Sequence, residues 1–135
     1  MFTVKSAARH FDALASEAFS ADGLGFMEGL LLAAIFFEAP RTINPSHLAE
    51  TFATTRGNVS HAISSLEAKG MVQRKIDPAD ARGTLLALKP AGKRSALRVI
   101  AAFDKMQQRF EQRVGKVALK NTLDVIRLLE SCNHA

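Results

Sequence analysis

The sequence predicts a mostly α-helical domain carrying one small β-hairpin, an α+β architecture, on three observations. Apolar residues recur at three- and four-residue spacing through most of the 135 residues. Two short helical patterns between Pro45 and Gly70 are separated only by a break at Ala53-Thr54-Thr55. Directly after Gly70 the period drops to about two, first over Met71–Ile76 and again over Thr84–Leu88.

Each element has its own signal. Val4, Ala8, Phe11, Ala15, Ala18 and Phe19 form one stripe of a first helix over about residues 3–19, which Asp22-Gly23 punctuates. Leu24 to Glu38 is apolar on nearly all sides and reads as the central core helix, ended by Ala39-Pro40 because the residue before proline is pushed out of the α region. Asn44 caps a short helix with Pro45 at its first position, and Leu48, Ala49 and Phe52 supply its inner face. Thr55 caps a helix from Arg56 to Lys69, and Gly70 supplies its left-handed stop. Asp77 to Gly83 is turn chemistry between the two short strands. A long helix follows over about residues 91–115 on Leu97, Ile100, Ala101, Phe103, Phe110 and Val114, and a last one on Leu123, Ile126 and Leu129. Two helices joined by a tight turn and followed at once by a hairpin make a winged helix-turn-helix.

The second helix of that pair is the most informative. Advancing about 100° per residue from Val59 brings Ala62, Ile63 and Leu66 into one buried stripe. The opposite face then holds Gly57, His61, Ser64 and Ala68, flanked by Asn58 and Ser65. These side chains are small or hydrogen-bonding and none is acidic, which suits a helix docked in a DNA groove. Thr55, Arg56 and Ser60 sit where hydroxyl and guanidinium groups meet phosphate at a helix start. Asn58 and His61 are the candidates for base contacts, and Gly57 permits close backbone approach. Arg74 and Lys75 on the first strand join the candidate DNA-binding set. In the turn, Asp80 can hold Arg82 while the arginine enters a narrow minor groove.

Charge agrees with this division. The formal net charge is +5 with a sequence pI of about 9.8, but residues 1–39 carry two basic groups against five acidic ones. Residues 40–93 and 94–135 each carry eight basic against four acidic, so whatever meets a polyanion lies after Pro40. Cys132 is the only cysteine, which excludes an intramolecular disulfide. With no apolar signal region near the amino terminus and no apolar run long enough to span a bilayer, a cytoplasmic protein without membrane contact is expected. Enzyme chemistry finds no support. There is no nucleophile elbow, Gly23-Leu24-Gly25 lacks the third glycine of a dinucleotide loop, and neither His47 with Glu50 nor His10 with Asp12 supplies enough ligands for a metal. No catalytic residue, metal or cofactor is implied.

Specific segments resemble a known family. Leu48-Ala49-Glu50, Thr55-Arg56-Gly57-Asn58-Val59-Ser60, Leu66-Glu67-Ala68-Lys69-Gly70-Met71-Val72-Gln73-Arg74, Asp77-Pro78-Ala79-Asp80-Ala81-Arg82 and Leu88-Lys89-Pro90-Ala91-Gly92-Lys93 resemble the MarR family of bacterial transcription regulators over about residues 44–94. The resemblance implies one domain over residues 1–135, with a winged helix-turn-helix at 44–90 and dimerisation and core helices at 1–39 and 91–135. It further implies a homodimer on a pseudo-palindromic double-stranded DNA operator, acting as a repressor released by a small aromatic or anionic effector. Arg82 matches the arginine at the wing tip, Asp80 its supporting carboxylate, and Arg56 to Ser64 the recognition helix. Ala81 and His61 stand where many members have arginine, which lowers the contact charge at two positions. Glu28, inside the apolar helix, also departs from the pattern and reads as a core-edge carboxylate, with a dimer or pocket contact as the other reading. The rival functions are a winged helix that binds protein instead of DNA, and a redox sensor acting through Cys132.

Overall fold

A computed structural model describes residues 2–39, 43–79 and 84–132. Its elements are α1 (Phe2–Ser20), α2 (Phe26–Glu38), α3 (Pro45–Thr51), α4 (Arg56–Ala68), β1 (Val72–Ile76), β2 (Thr84–Leu88), α5 (Pro90–Val114) and α6 (Lys116–Ser131). Residues 1–101 form one compact unit and residues 102–135 another.

In the first unit α2 is the central element, packing against α1, α4 and β2. Its buried side is Gly29, Leu31, Leu32 and Ile35. The expectation of burial on nearly all sides is too broad, since Phe37 is 69% exposed. The helix also begins two residues late. Gly25 is its N-cap in extended conformation, while Leu24 is buried in the preceding turn. Gly29 is what lets α1 lie close, because a Cβ there would fall 2.4 Å from the Phe19 ring. Phe19 itself is buried and stacks on Phe26 with ring centroids 6.4 Å apart.

Local chemistry sets the helix ends as the sequence predicts. Asn44 Oδ1 accepts hydrogen bonds from the backbone N–H groups of Ser46 and His47 at the start of α3. The turn into α4 passes through Ala53 at φ 50, a left-handed conformation that a non-glycine residue occupies at a cost of about 1–2 kcal/mol. Thr54 N–H donating to Ala49 O at 2.9 Å closes that turn. At the far end of α4, Gly70 takes φ 70. β1 and β2 pair antiparallel, with Val72 opposite Leu88 and Arg74 opposite Leu86. Of β1 only Val72 is buried and Ile76 is 84% exposed, while on β2 Leu86 is buried, so the hairpin leaves the core towards its tip.

The long helix differs from its sequence reading in which face it buries. Within residues 90–101 the buried positions are Gly92, Ser95, Ala96 and Val99, whereas Leu97, from the predicted stripe, is exposed. Small residues win here because backbone contact decides. Met71 O accepts from Lys89 N–H at 2.9 Å, and a Cβ on Gly92 would lie 1.9 Å from that same oxygen. Two ion pairs hold the α1–α2 corner. Arg98 binds both carboxylate oxygens of Asp22, at 2.7 and 3.0 Å, and this hydrogen-bonded pairing raises the arginine pKa above its ordinary value. Lys69, the C-cap of α4, donates to Glu28 Oε2 at 2.5 Å and to Gly23 O at 2.7 Å. Glu28 is therefore an ion-paired carboxylate at the core edge.

In the second unit, α6 buries none of its residues. Val117 (74% exposed), Leu123, Val125, Leu128 (65% exposed) and Leu129 all lie open, as do Phe110 and Val114 of α5. Gly115 at φ 81 separates the two helices. No helix among the described residues is long and apolar enough to cross a membrane.

Candidate nucleic-acid interface

α4 presents two chemically distinct faces. Val59, Ala62, Ile63 and Leu66 are buried against α2 and α3, while Arg56, Gly57, Asn58, His61, Ser64 and Ala68 are exposed. Ser60 and Ser65 lie half-buried between them. The helical-wheel reading of this element therefore holds at every one of these positions.

The amino-terminal turn of α4 is organised by two threonines. Thr55, extended at φ −95 and ψ 152, caps the helix, its Oγ1 accepting from Asn58 N–H at 3.1 Å. The N–H groups of Arg56 and Gly57, the first two of the helix, have no carbonyl within it to bond and point out of its positive end. Thr54 Oγ1 accepts from Asn58 Nδ2 at 3.0 Å, which sets the orientation of the amide while leaving its oxygen open. Sequence periodicity had no means of finding Thr54, because this bond reaches back across the helix cap. Nothing in the fold demands a glycine at position 57, since an added Cβ would meet only Thr55 Oγ1 at 3.9 Å.

The hairpin contributes unequally. Arg74 lies on the sheet face that carries buried Val72 and Leu86, and it turns back onto α4. Its Nε donates to Glu67 Oε2 at 2.9 Å and its Nη2 to Ser64 Oγ at 3.1 Å. The one acidic residue on the flank of α4 is thereby neutralised by a cation. Lys75 lies on the opposite sheet face, one residue on, and is not brought together with α4. It lines a cavity of about 380 Å³ with Phe36, Leu85, Ala87 and Lys93. Asp80 and Arg82 lie outside the described residues. Among the described residues no group of three His, Cys, Asp or Glu side chains is placed to hold a metal ion. Cys132 is exposed and forms no disulfide among the described residues.

A capped helix with an acid-free outer face, set behind a short helix and tied to a hairpin, is the arrangement that the earlier resemblance described. Residues 22–83 match the sequence model of the MarR family. Solved structures share the fold across nearly the whole chain. A MepR–DNA complex from S. aureus superposes with a TM-score of 0.84 at 16% identity, covering 97% of this chain and 94% of that one. A MarR-family regulator from Listeria monocytogenes complexed with 26mer DNA gives 0.83 at 17% identity, covering 96% and 85%. A MarR-family regulator from Rhodococcus sp. RHA1 gives 0.80 at 20% identity, covering 95% and 91%. No protein of curated function matches the sequence.

Proposed function

We propose that the protein is a homodimeric transcription regulator that binds a pseudo-palindromic DNA operator through α4 and the hairpin, and that it represses until a small effector releases it. The outer face of α4 carries this reading: six exposed positions without a carboxylate, a polar cap, and the flanking Glu67 paired to Arg74. Arg56 and Ser60 meet phosphate at the positive end of the helix, with Thr55 as its cap. Asn58, His61 and Ser64 face the base edges, and the bare Cα of Gly57 allows the backbone close to the groove. Arg82, supported by Asp80, enters the minor groove, and Lys75 adds positive charge along the hairpin.

The homodimer is supported by α6, a helix of alternating apolar and charged faces that leaves Val117, Leu128 and Leu129 open to water. A second copy of the chain covers such a stripe symmetrically. The effector reading is supported by the cavity beside the hairpin, whose lining is mostly apolar and includes Lys75 and Lys93. Selection of bound duplexes from a random DNA pool tests the whole reading. One enriched sequence with two related half-sites is expected, whereas no enrichment favours a winged helix that binds protein.

A further inference from the structure

Two bonded hydroxyls of the described helices, Ser64 and Ser95, accept from an arginine, and of these Ser95 is buried whereas Ser64 is exposed. Thr51, Thr122 and Ser131 each donate their hydroxyl hydrogen back to a carbonyl of their own helix. The Ser64 hydroxyl instead faces Arg74 Nη2 at 3.1 Å. A guanidinium has five N–H donors and no acceptor, so Ser64 Oγ can only accept in this bond. One lone pair is thus committed to the arginine while the hydroxyl hydrogen has no acceptor among the described residues, and accepting from a cation strengthens the hydroxyl as a donor. Arg74 is itself held by the bond from Nε to Glu67 Oε2 at 2.9 Å, which fixes the plane of the fork.

We propose that Arg74 is a positioning residue that makes Ser64 an outward-facing hydrogen-bond donor, and that this donor reads the N7 atom of a purine in the major groove. The inference rests on α4 being the DNA-reading helix. A lone hydroxyl cannot make the paired contacts that an amide or guanidinium makes, so it reads a single atom. N7 is the acceptor that adenine and guanine both present, whereas the neighbouring exocyclic group is a donor in one and an acceptor in the other. A polarised donor on α4 therefore distinguishes purine from pyrimidine on the facing strand and leaves adenine and guanine equivalent.

The test uses the full-length protein and the duplex it selects from a random pool, with purines replaced one at a time by 7-deazapurines, which lack N7. Ser64→Ala and Arg74→Gln are each expected to weaken binding by roughly three- to tenfold, the range of one hydrogen bond. Their combination should be no weaker than either alone, and Ser64→Thr should retain binding. One 7-deaza position should weaken the wild type and leave Ser64→Ala unaffected, a signature that loss of fold stability does not produce. If the two losses multiply, or if every 7-deaza position affects wild type and Ser64→Ala alike, including the case in which Ser64 meets a phosphate, the inference is overturned. A protein that selects no duplex overturns the DNA-binding reading itself, which separates the two failures.

Discussion

α4 and α6 are both amphipathic helices, of 13 and 16 residues, yet they end in opposite situations. α4 buries its whole apolar stripe inside residues 1–101 and turns a polar face outward. α6 buries nothing, and Val117, Leu123, Val125, Leu128 and Leu129 remain open. Periodicity says which face of a helix is apolar, but the identity of whatever covers that face depends on the neighbours the chain supplies. One helix is completed by its own chain and is ready to meet a polar ligand. The other presents a stripe that the described residues leave uncovered.

Substitutions can break this contrast, beginning with the core. Leu66→Ala should lower unfolding free energy by about 2–5 kcal/mol in urea titrations, independent of protein concentration, because the stripe of α4 is covered within the chain. Leu128→Ala should instead act through assembly. Its effect on the midpoint should change with protein concentration, and sedimentation should show a weakened dimer. A concentration-independent effect of Leu128→Ala erases the distinction between the two helices. Gly92→Ala comes next. The added methyl meets Met71 O, and forcing α5 away should cost about 1–3 kcal/mol in the same titration, whereas an unchanged midpoint places the start of α5 elsewhere.

Smaller effects sharpen the recognition side. Arg82→Ala should weaken operator binding by about 1–3 kcal/mol, measured by fluorescence anisotropy, and unchanged affinity removes the hairpin tip from the interface. Gly57→Ala separates folding from binding, since the position has room for a methyl and alanine is favoured in helices by up to about 1 kcal/mol. Thermal stability should rise or hold while operator affinity falls; undiminished affinity shows that no close approach occurs there. Ala53→Gly relieves the left-handed turn between α3 and α4, and a gain of up to about 1 kcal/mol is expected, with no change in binding.

What the sequence revealed and what it hid divide along physical lines. Caps at Asn44 and Thr55, the stop at Gly70, the strand Thr84–Leu88 and the buried stripe of α4 were all legible, because each depends on a few adjacent residues or on one helical period. The face that α5 buries was not, because Gly92, Ser95 and Ala96 carry little hydropathy and pack by permitting close backbone approach. Alternation along the strand puts Arg74 and Lys75 on opposite faces, but only strand pairing shows that Arg74 shares its face with buried Leu86. The bonds from Arg74 to Glu67 and Ser64, and from Lys69 to Glu28, cross turns or whole elements and leave no periodic trace.

The central claim is that the acid-free face of α4 meets the phosphates and bases of DNA. It is tested most directly by titrating the selected duplex with the protein at increasing salt. Binding through several phosphate contacts predicts an association constant that falls linearly on a log–log plot, by at least about tenfold between about 50 and 200 mM salt, with a shallower slope for Arg56→Gln. An affinity indifferent to salt, or an unaltered slope in that variant, contradicts the assignment of α4 as the DNA-binding helix.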